Sequence, residues 1–406
     1  MAKQRKGLLN KQSPYHYYTA SVFARMKQLF YGWRCHDKII VVESDDWGAI
    51  RTSSKQAYKI LETKGFDMSR SCWSLDALET DDDLTALYDV LSRFFDVRSR
   101  PACITGNMVM TNPDFNAIRN SKYNTYYLEP VAKTLCTSSE RKCVENLWFE
   151  GMDKKLFRPQ FHAREHIRWW EWMRALKHGS KEALTTFDLN MCGVPLNVSK
   201  VGVSYYQPTY IENSEDIGSD YSLSDVIEEG IRRFEDQFGL KSLSTIAPNC
   251  AWTNDAEKYW SKNGVRYIQG SYCQEVITRK GCKYKPHYLG EVSRYGGIYM
   301  ARNCVFEPAR NNNDDHWKRS IKQISQAFYL KSPAVITSHR LNYSGSINEA
   351  NRYKGLMQLN KLLKEVTKRW PEVHFLSSAE LGYMIENGIK RVDDLRNIEN
   401  IVFPKV

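Results

Sequence analysis

Apolar and polar positions fall in alternating blocks along this chain. Ile39-Ile40-Val41-Val42 is a continuous apolar run, the pattern of a strand buried on both faces. Comparable runs occupy 102–109, 157–161, 244–247, 265–268, 298–305, 334–337 and 373–376. Between them lie amphipathic stretches. Leu84 to Phe95 and Val226 to Phe238 carry apolar residues three and four apart, the period of a helix with one buried face. The segment from Ile347 to Trp370 follows Ser346 and Glu349, spaced as a capping box, and Ser377 with Glu380 repeats the spacing before a last helix. Strand–helix alternation of this length predicts an α/β fold on a parallel sheet, open or closed into a barrel.

Two tracts break the alternation. Residues 113–155 and 186–222 are polar and weakly periodic, and read as insertions decorating the sheet and forming a substrate rim. Residues 1–35 form a basic, aromatic arm with a helix expected from Ala20 to Tyr31, packed on the main body or lying on a membrane surface. The main domain is then 36–390, followed by a tail at 391–406.

Composition changes this picture little. At 42% hydrophobic and 26% charged residues the chain is an ordinary globular one. A net charge of +11 favours anionic partners without choosing among them. No nucleic-acid-binding motif accompanies the charge, so nucleic acid is not an expected partner. No run approaches the roughly 18 apolar residues of a membrane-spanning helix. The ten cysteines are scattered singly, without a CxxC pair. With no apolar stretch after the basic N-terminus, these features place the protein in the cytoplasm, with peripheral membrane contact through 1–35 as the alternative. Nothing in the sequence sets an oligomeric state.

Four stretches at expected strand ends carry the chemistry. Glu43-Ser44-Asp45-Asp46-Trp47-Gly48 ends the first apolar run. Two adjacent carboxylates repel unless a cation stands beside them, and a divalent metal would serve. Alone, such a doublet fits an Asx-turn or helix cap better. In Arg158-Pro159-Gln160-Phe161-His162-Ala163-Arg164-Glu165-His166 the histidines are four apart. A helical turn would put both rings on one face, where imidazoles combine with a carboxylate to bind zinc or a neighbouring first-row metal. Thr245 to Trp252 sets a proline-containing turn and an aromatic after a strand. Val335-Ile336-Thr337-Ser338-His339 ends a strand on a histidine able to donate a proton, or to sit satisfied in the core. Trp169, Trp170 and Trp172 read more readily as core than as a sugar platform.

Taken in order, SDDWG, HAREH, APNCAW and VITSH resemble the motifs of the NodB-homology polysaccharide deacetylases, carbohydrate esterase family four, over about residues 36–386. The string with FRPQFHAREH, NGVRYIQG and SHRLNYSG looks especially like the polysaccharide (de)acetylases of surface-glycan assembly. The resemblance implies a distorted (β/α)7–8 barrel and hydrolytic removal of N-acetyl, or O-acetyl, groups from a sugar polymer or its precursor. It implies one divalent ion, zinc or else Co, Ni, Mn or Fe, on Asp46, His162 and His166. It makes Asp45 the catalytic base and His339 the acid. Asn107, Gln160, Arg164, Asn342 and Glu307 stand near strand ends and are expected at the substrate, with a structural role at the barrel mouth as the alternative. Two departures stand out: a bulky Trp47 separates the doublet from Gly48, and Ala247 replaces the arginine that steadies the family's catalytic aspartate. Arg164 or Arg340 is the expected substitute. A glycan-binding barrel without chemistry, or a metal-dependent amidase on a non-sugar substrate, are the competing expectations.

Overall fold

The computed structural model describes residues 14–211, 221–278, 281–310, 315–395 and 398–406. Parts of the expected arm, second insertion and tail, at 1–13, 212–220 and 396–397, lie outside the described residues. The first apolar run becomes strand β1, Ile39–Trp47, with all nine residues buried. Parallel neighbours follow: β2 (Ile104–Val109), β3 (Phe157–Ala163), β4 (Ser244–Thr245), β5 (Tyr267–Ser271), β6 (Ile298–Arg302), β7 (Cys304–Val305), β8 (Ala334–His339) and a short β9 (His374–Phe375). Their order round the sheet is β6-β5-β4-β3-β2-β1-β8-β7, with β9 beside the start of β1.

The two ends of this path are consecutive in the chain, and Asn303 joins them. Its backbone N–H donates to the Val335 carbonyl at 3.0 Å. Its side chain accepts from Val335 N–H at 2.9 Å and donates to the Pro333 carbonyl at 2.7 Å. One bent strand, β6–β7, thus pairs with β5 on one side and β8 on the other, and the sheet is a nearly closed parallel barrel with helices around it. The expected barrel class is the observed one.

β1 explains why its sequence is apolar throughout. Ile40 and Val42 pack among the outer helices with Trp148, Phe157 and Trp260. Ile39 and Val41 pack with Tyr267, Met300, Leu381 and Met384, two of them on helix Ser378–Glu386. The capping box at Ser377 and Glu380 is present with both hydrogen bonds. The expected box at Ser346 is not: helix Glu349–Arg369 is capped two residues later, by Asn348, whose side chain accepts from Ala350 N–H.

Between β5 and β6 the chain makes an antiparallel hairpin, Cys273–Thr278 with Gly281–Pro286, in place of a crossover helix. Helix Pro14–Tyr31, longer than the expected Ala20 to Tyr31, lies against that hairpin. Among the described residues no helix is long and apolar enough to cross a membrane. All ten cysteines are free.

Candidate metal and catalytic site

In a regular strand successive side chains point to opposite faces, so Asp45 and Asp46 should diverge. They do not. Asp46 has φ +74, in the left-handed region, and the β1–β2 register slips between Ser44 and Trp47. This bulge turns both carboxylates into the same cavity. A non-glycine residue held there costs about 1–3 kcal/mol, which the surroundings must offset. Trp47 provides part of that hold. Its indole N–H donates to Ser44 Oγ at 3.0 Å and its ring packs on Phe157 and Tyr343. The bulky residue inside the motif is therefore a buried anchor. Gly48, at φ +82, cannot be replaced freely, since a Cβ would stand 2.5 Å from the Val109 carbonyl oxygen.

Asp46 Oδ1 lies 3.4 Å from His162 Nε2 and 3.3 Å from His166 Nε2. The three ligand atoms are all within 4.8 Å of one another, and the three residues are buried. The segment after Ala163 bends and is not helical; His162 is the last residue but one of β3, while His166 reaches the same point from the bend. The expected helical pairing of the two rings is thus corrected to a strand-end pairing, with ring centroids 5.1 Å apart. His162 Nδ1 donates to the Ile246 carbonyl at 2.8 Å, which leaves a lone pair on Nε2. That Nε2 is buried without a hydrogen-bond partner. Burial first, then Arg51, pushes His166 down to about 3, so its ring is neutral. Burial would raise Asp46, but Arg51 and His166 hold it well below the usual carboxylate range. A neutral His166, the buried and unpartnered Nε2 of His162 and the Asp46 carboxylate fit a divalent cation.

Asp45 is held quite differently. Arg302 donates from Nη1 to Oδ2 at 2.7 Å and from Nη2 to Oδ1 at 2.8 Å, and Asn107 Nδ2 donates to Oδ1 at 2.7 Å. Arg302 Nε also donates to Glu43 at 2.5 Å. Burial would raise Asp45, but Arg302 keeps its carboxyl below the ordinary value. The arginine absent at Ala247 is supplied by Arg302, at the end of β6. Neither expected substitute reaches Asp45. Arg164 pairs with Glu165 and Glu229, and Arg340 with Asp76 and Glu79.

His339 stands beside Asp45 by register, since the two are paired residues of β8 and β1. Its Nε2 is 3.8 Å from Asp45 Oδ2, and its Nδ1 is 2.5 Å from Glu307 Oε1. Burial would lower His339, but Glu307 raises it above its ordinary value.

The cavity holding these groups has a volume of about 490 Å³. Asp45, Asp46, His162, His166 and His339 line it together. None of the five residues expected at the substrate does. Asn107 and Gln160 point into the barrel interior, where they bond Gln269 and Ser244. Asn342 donates to Glu307 at 2.8 Å, and Glu307 turns to His339, so both stand behind the histidine. Proximity to a strand end does not decide which way a side chain points.

Other residues form the walls. Arg51 stacks on Tyr206 at 4.3 Å, and Arg310 on Trp73 at 4.9 Å. Asn197, Gln207, Asn249 and Cys250 also line the cavity, Asn249 and Cys250 with positive φ. From the second polar tract, residues 191–207 contribute much of the rim. Trp252 is buried in the core and absent from the cavity, as are Trp170 and Trp172. Arg302, Arg51 and Arg310 had no motif to mark them. The one signal was a charged residue closing the apolar run Ile298-Tyr299-Met300-Ala301-Arg302.

A scan against protein-family models finds no match, and neither does a search of curated proteins. Solved structures overlap the chain at low similarity. A Mycobacterium smegmatis protein described as a polysaccharide deacetylase is 10% identical, with TM-score 0.38 over 88% of this chain and 93% of that one. A Parabacteroides distasonis protein described as a glycoside hydrolase/deacetylase is also 10% identical, with TM-score 0.48 over 89% and 74%. The α-amylase AmyC of Thermotoga maritima is 7% identical, with TM-score 0.41 over 85% and 74%. Overlaps at this distance say nothing about activity.

Proposed function

We propose that the protein is a metal-dependent hydrolase that removes acetyl groups from an acetylated sugar, in a polysaccharide or its precursor. The observation that carries this reading is the meeting, in one cavity, of a three-ligand cation site with an arginine-clamped Asp45 and a carboxylate-backed His339. A binding protein has no need of the last two.

Asp46, His162 and His166 would hold the ion, zinc or a neighbouring first-row metal. Bound there, it supplies Lewis acidity, acidifying water and polarising a carbonyl. Arg302 and Asn107 orient the Asp45 carboxylate and keep it ionised, ready to take a proton from the attacking water. Glu307 holds the Nδ1 proton of His339 and favours the imidazolium, leaving Nε2–H to protonate the departing amine or alcohol. The rings of Trp73 and Tyr206 and the amides of Asn197, Gln207 and Asn249 suit a sugar, which offers both hydroxyls and apolar C–H faces.

The test combines metal analysis with acetate release. Purified protein should bind about one first-row divalent ion per chain. The loaded protein should release acetate from some member of a panel of N- and O-acetylated oligosaccharides, lipid-linked sugars and sugar nucleotides. Absence of bound ion would remove the basis of the reading. Acetate from non-sugar amides alone would replace the sugar by another substrate.

A further inference from the structure

Helix Pro14–Tyr31 turns Ala24, with no exposed area, towards the protein. Val22, Phe23, Met26, Leu29 and Phe30 are 42–70% exposed. At the angular step of an α-helix these five fall within an arc of about 120°. Arg25 and Lys27 border that arc on either side, Lys27 within 3.8 Å of Glu291. An outward apolar stripe between cations is the pattern of a helix lying in a membrane interface. The charge around it points the same way. Residues 1–36 contain seven Lys and Arg and no Asp or Glu.

Beside the helix, a cleft of about 650 Å³ lies between it, the barrel and helix His316–Tyr329, with Leu29 at the edge of the apolar arc among its lining residues. Arg25, Arg34 and Arg319 stand on its walls, and no carboxylate is among its lining residues. Ser271, Arg302 and Thr337 belong both to this cleft and to the catalytic cavity, so the helix stands next to the site.

We propose that helix Pro14–Tyr31 docks on an anionic lipid bilayer, with its apolar arc at the headgroup boundary and its flanking cations on lipid phosphates. A second copy of the chain is the poorer occupant. A two-fold contact sets like patches together, and here that would set the exposed Arg25 against a cationic copy of itself. The helix would lie on the membrane and not span it, for among the described residues no helix is long and apolar enough to cross one. The proposal does not rest on the catalytic reading.

Full-length protein should co-sediment with vesicles of phosphatidylcholine and phosphatidylglycerol. Its affinity should be on the order of tenfold or more above that for phosphatidylcholine alone, and should fall with added salt. Phe23→Ser and Phe30→Ser should each weaken binding by roughly tenfold, since each removes an inserted ring. Both rings are more than half exposed, so the unfolding midpoint of each variant should match that of the parent. Arg25→Glu should reduce the preference for the anionic vesicles. Equal, weak binding to both vesicles overturns the proposal. So does a dimer that Phe30→Ser turns into a monomer without loss of vesicle binding, for the face would then be a contact between copies.

Discussion

Asp45 receives hydrogen bonds on both oxygens inside the barrel, from Arg302 and Asn107, whereas Asp46 faces two imidazole Nε2 atoms and an Arg51 guanidinium 3.3 Å away. Both are buried and both titrate low, yet for different reasons. Asp45 is held by a bidentate cation that belongs to the protein. Asp46 stands between Arg51 and the Nε2 atoms of His162 and His166, which is a place for a cation the chain does not itself provide. Adjacent residues of one doublet can thus take a proton-accepting and a metal-binding role because their environments, not their chemistry, differ. The left-handed backbone at Asp46 is what lets both look into one cavity.

Removing the Asp46 side has the largest expected effect. Asp46→Ala or His162→Ala should reduce bound metal to background and acetate release with it, by plasma emission analysis and enzymatic acetate assay. Full metal content in both variants would dissolve the distinction between the two carboxylates. The complementary change, Asp45→Asn, should keep about one ion per chain but lower kcat by roughly 10²–10⁴. Loss of metal from Asp45→Asn would mean the doublet acts as one ligand.

Arg302→Met tests the cation of the Asp45 side. It leaves Glu43 buried without a charged partner and Asp45 with only His339 at 3.8 Å, and unfolding free energy should fall by about 3–5 kcal/mol at neutral pH in denaturant titrations. Asp45 titrates below its ordinary value in the parent, so its contribution to stability is present above the unfolded pKa and disappears as pH falls through the folded one. The gap between parent and variant should therefore narrow in acid. A gap independent of pH would assign the loss to packing of the arginine side chain.

The contrast between the two aspartates also marks what the sequence made legible. Apolar runs located the barrel strands, because strands buried on both faces carry a continuous signal. Asp45, Asp46, His162, His166 and His339 were legible because short motifs at strand ends resembled a known order. Arg302 was not, since its role depends on β6 lying across the barrel interior from β1, a relation no local spacing encodes. Arg164 and Arg340 sit inside or beside motifs but turn to carboxylates elsewhere. Glu307 and Asn342 were found as residues near the site, yet their place behind His339 follows from side-chain direction, which the sequence does not carry.

The smallest expected effect sharpens the acid–base half of the site. Glu307 accepts from His339 Nδ1 at 2.5 Å. Burial would lower the histidine, and Glu307 reverses the direction. A proton donor works while protonated, so activity limited by His339 should persist at low pH and decline as pH rises through this raised pKa. Glu307→Gln keeps the shape and an acceptor oxygen but removes the charge. The His339 pKa should then fall, and the alkaline limb of kcat against pH should move to lower pH. In the proposed mechanism Asp45 sets the acid limb, so that limb should stay in place. Movement of the acid limb with the alkaline one unchanged would reverse the assignment, making His339 the base and Asp45 a structural partner of Arg302.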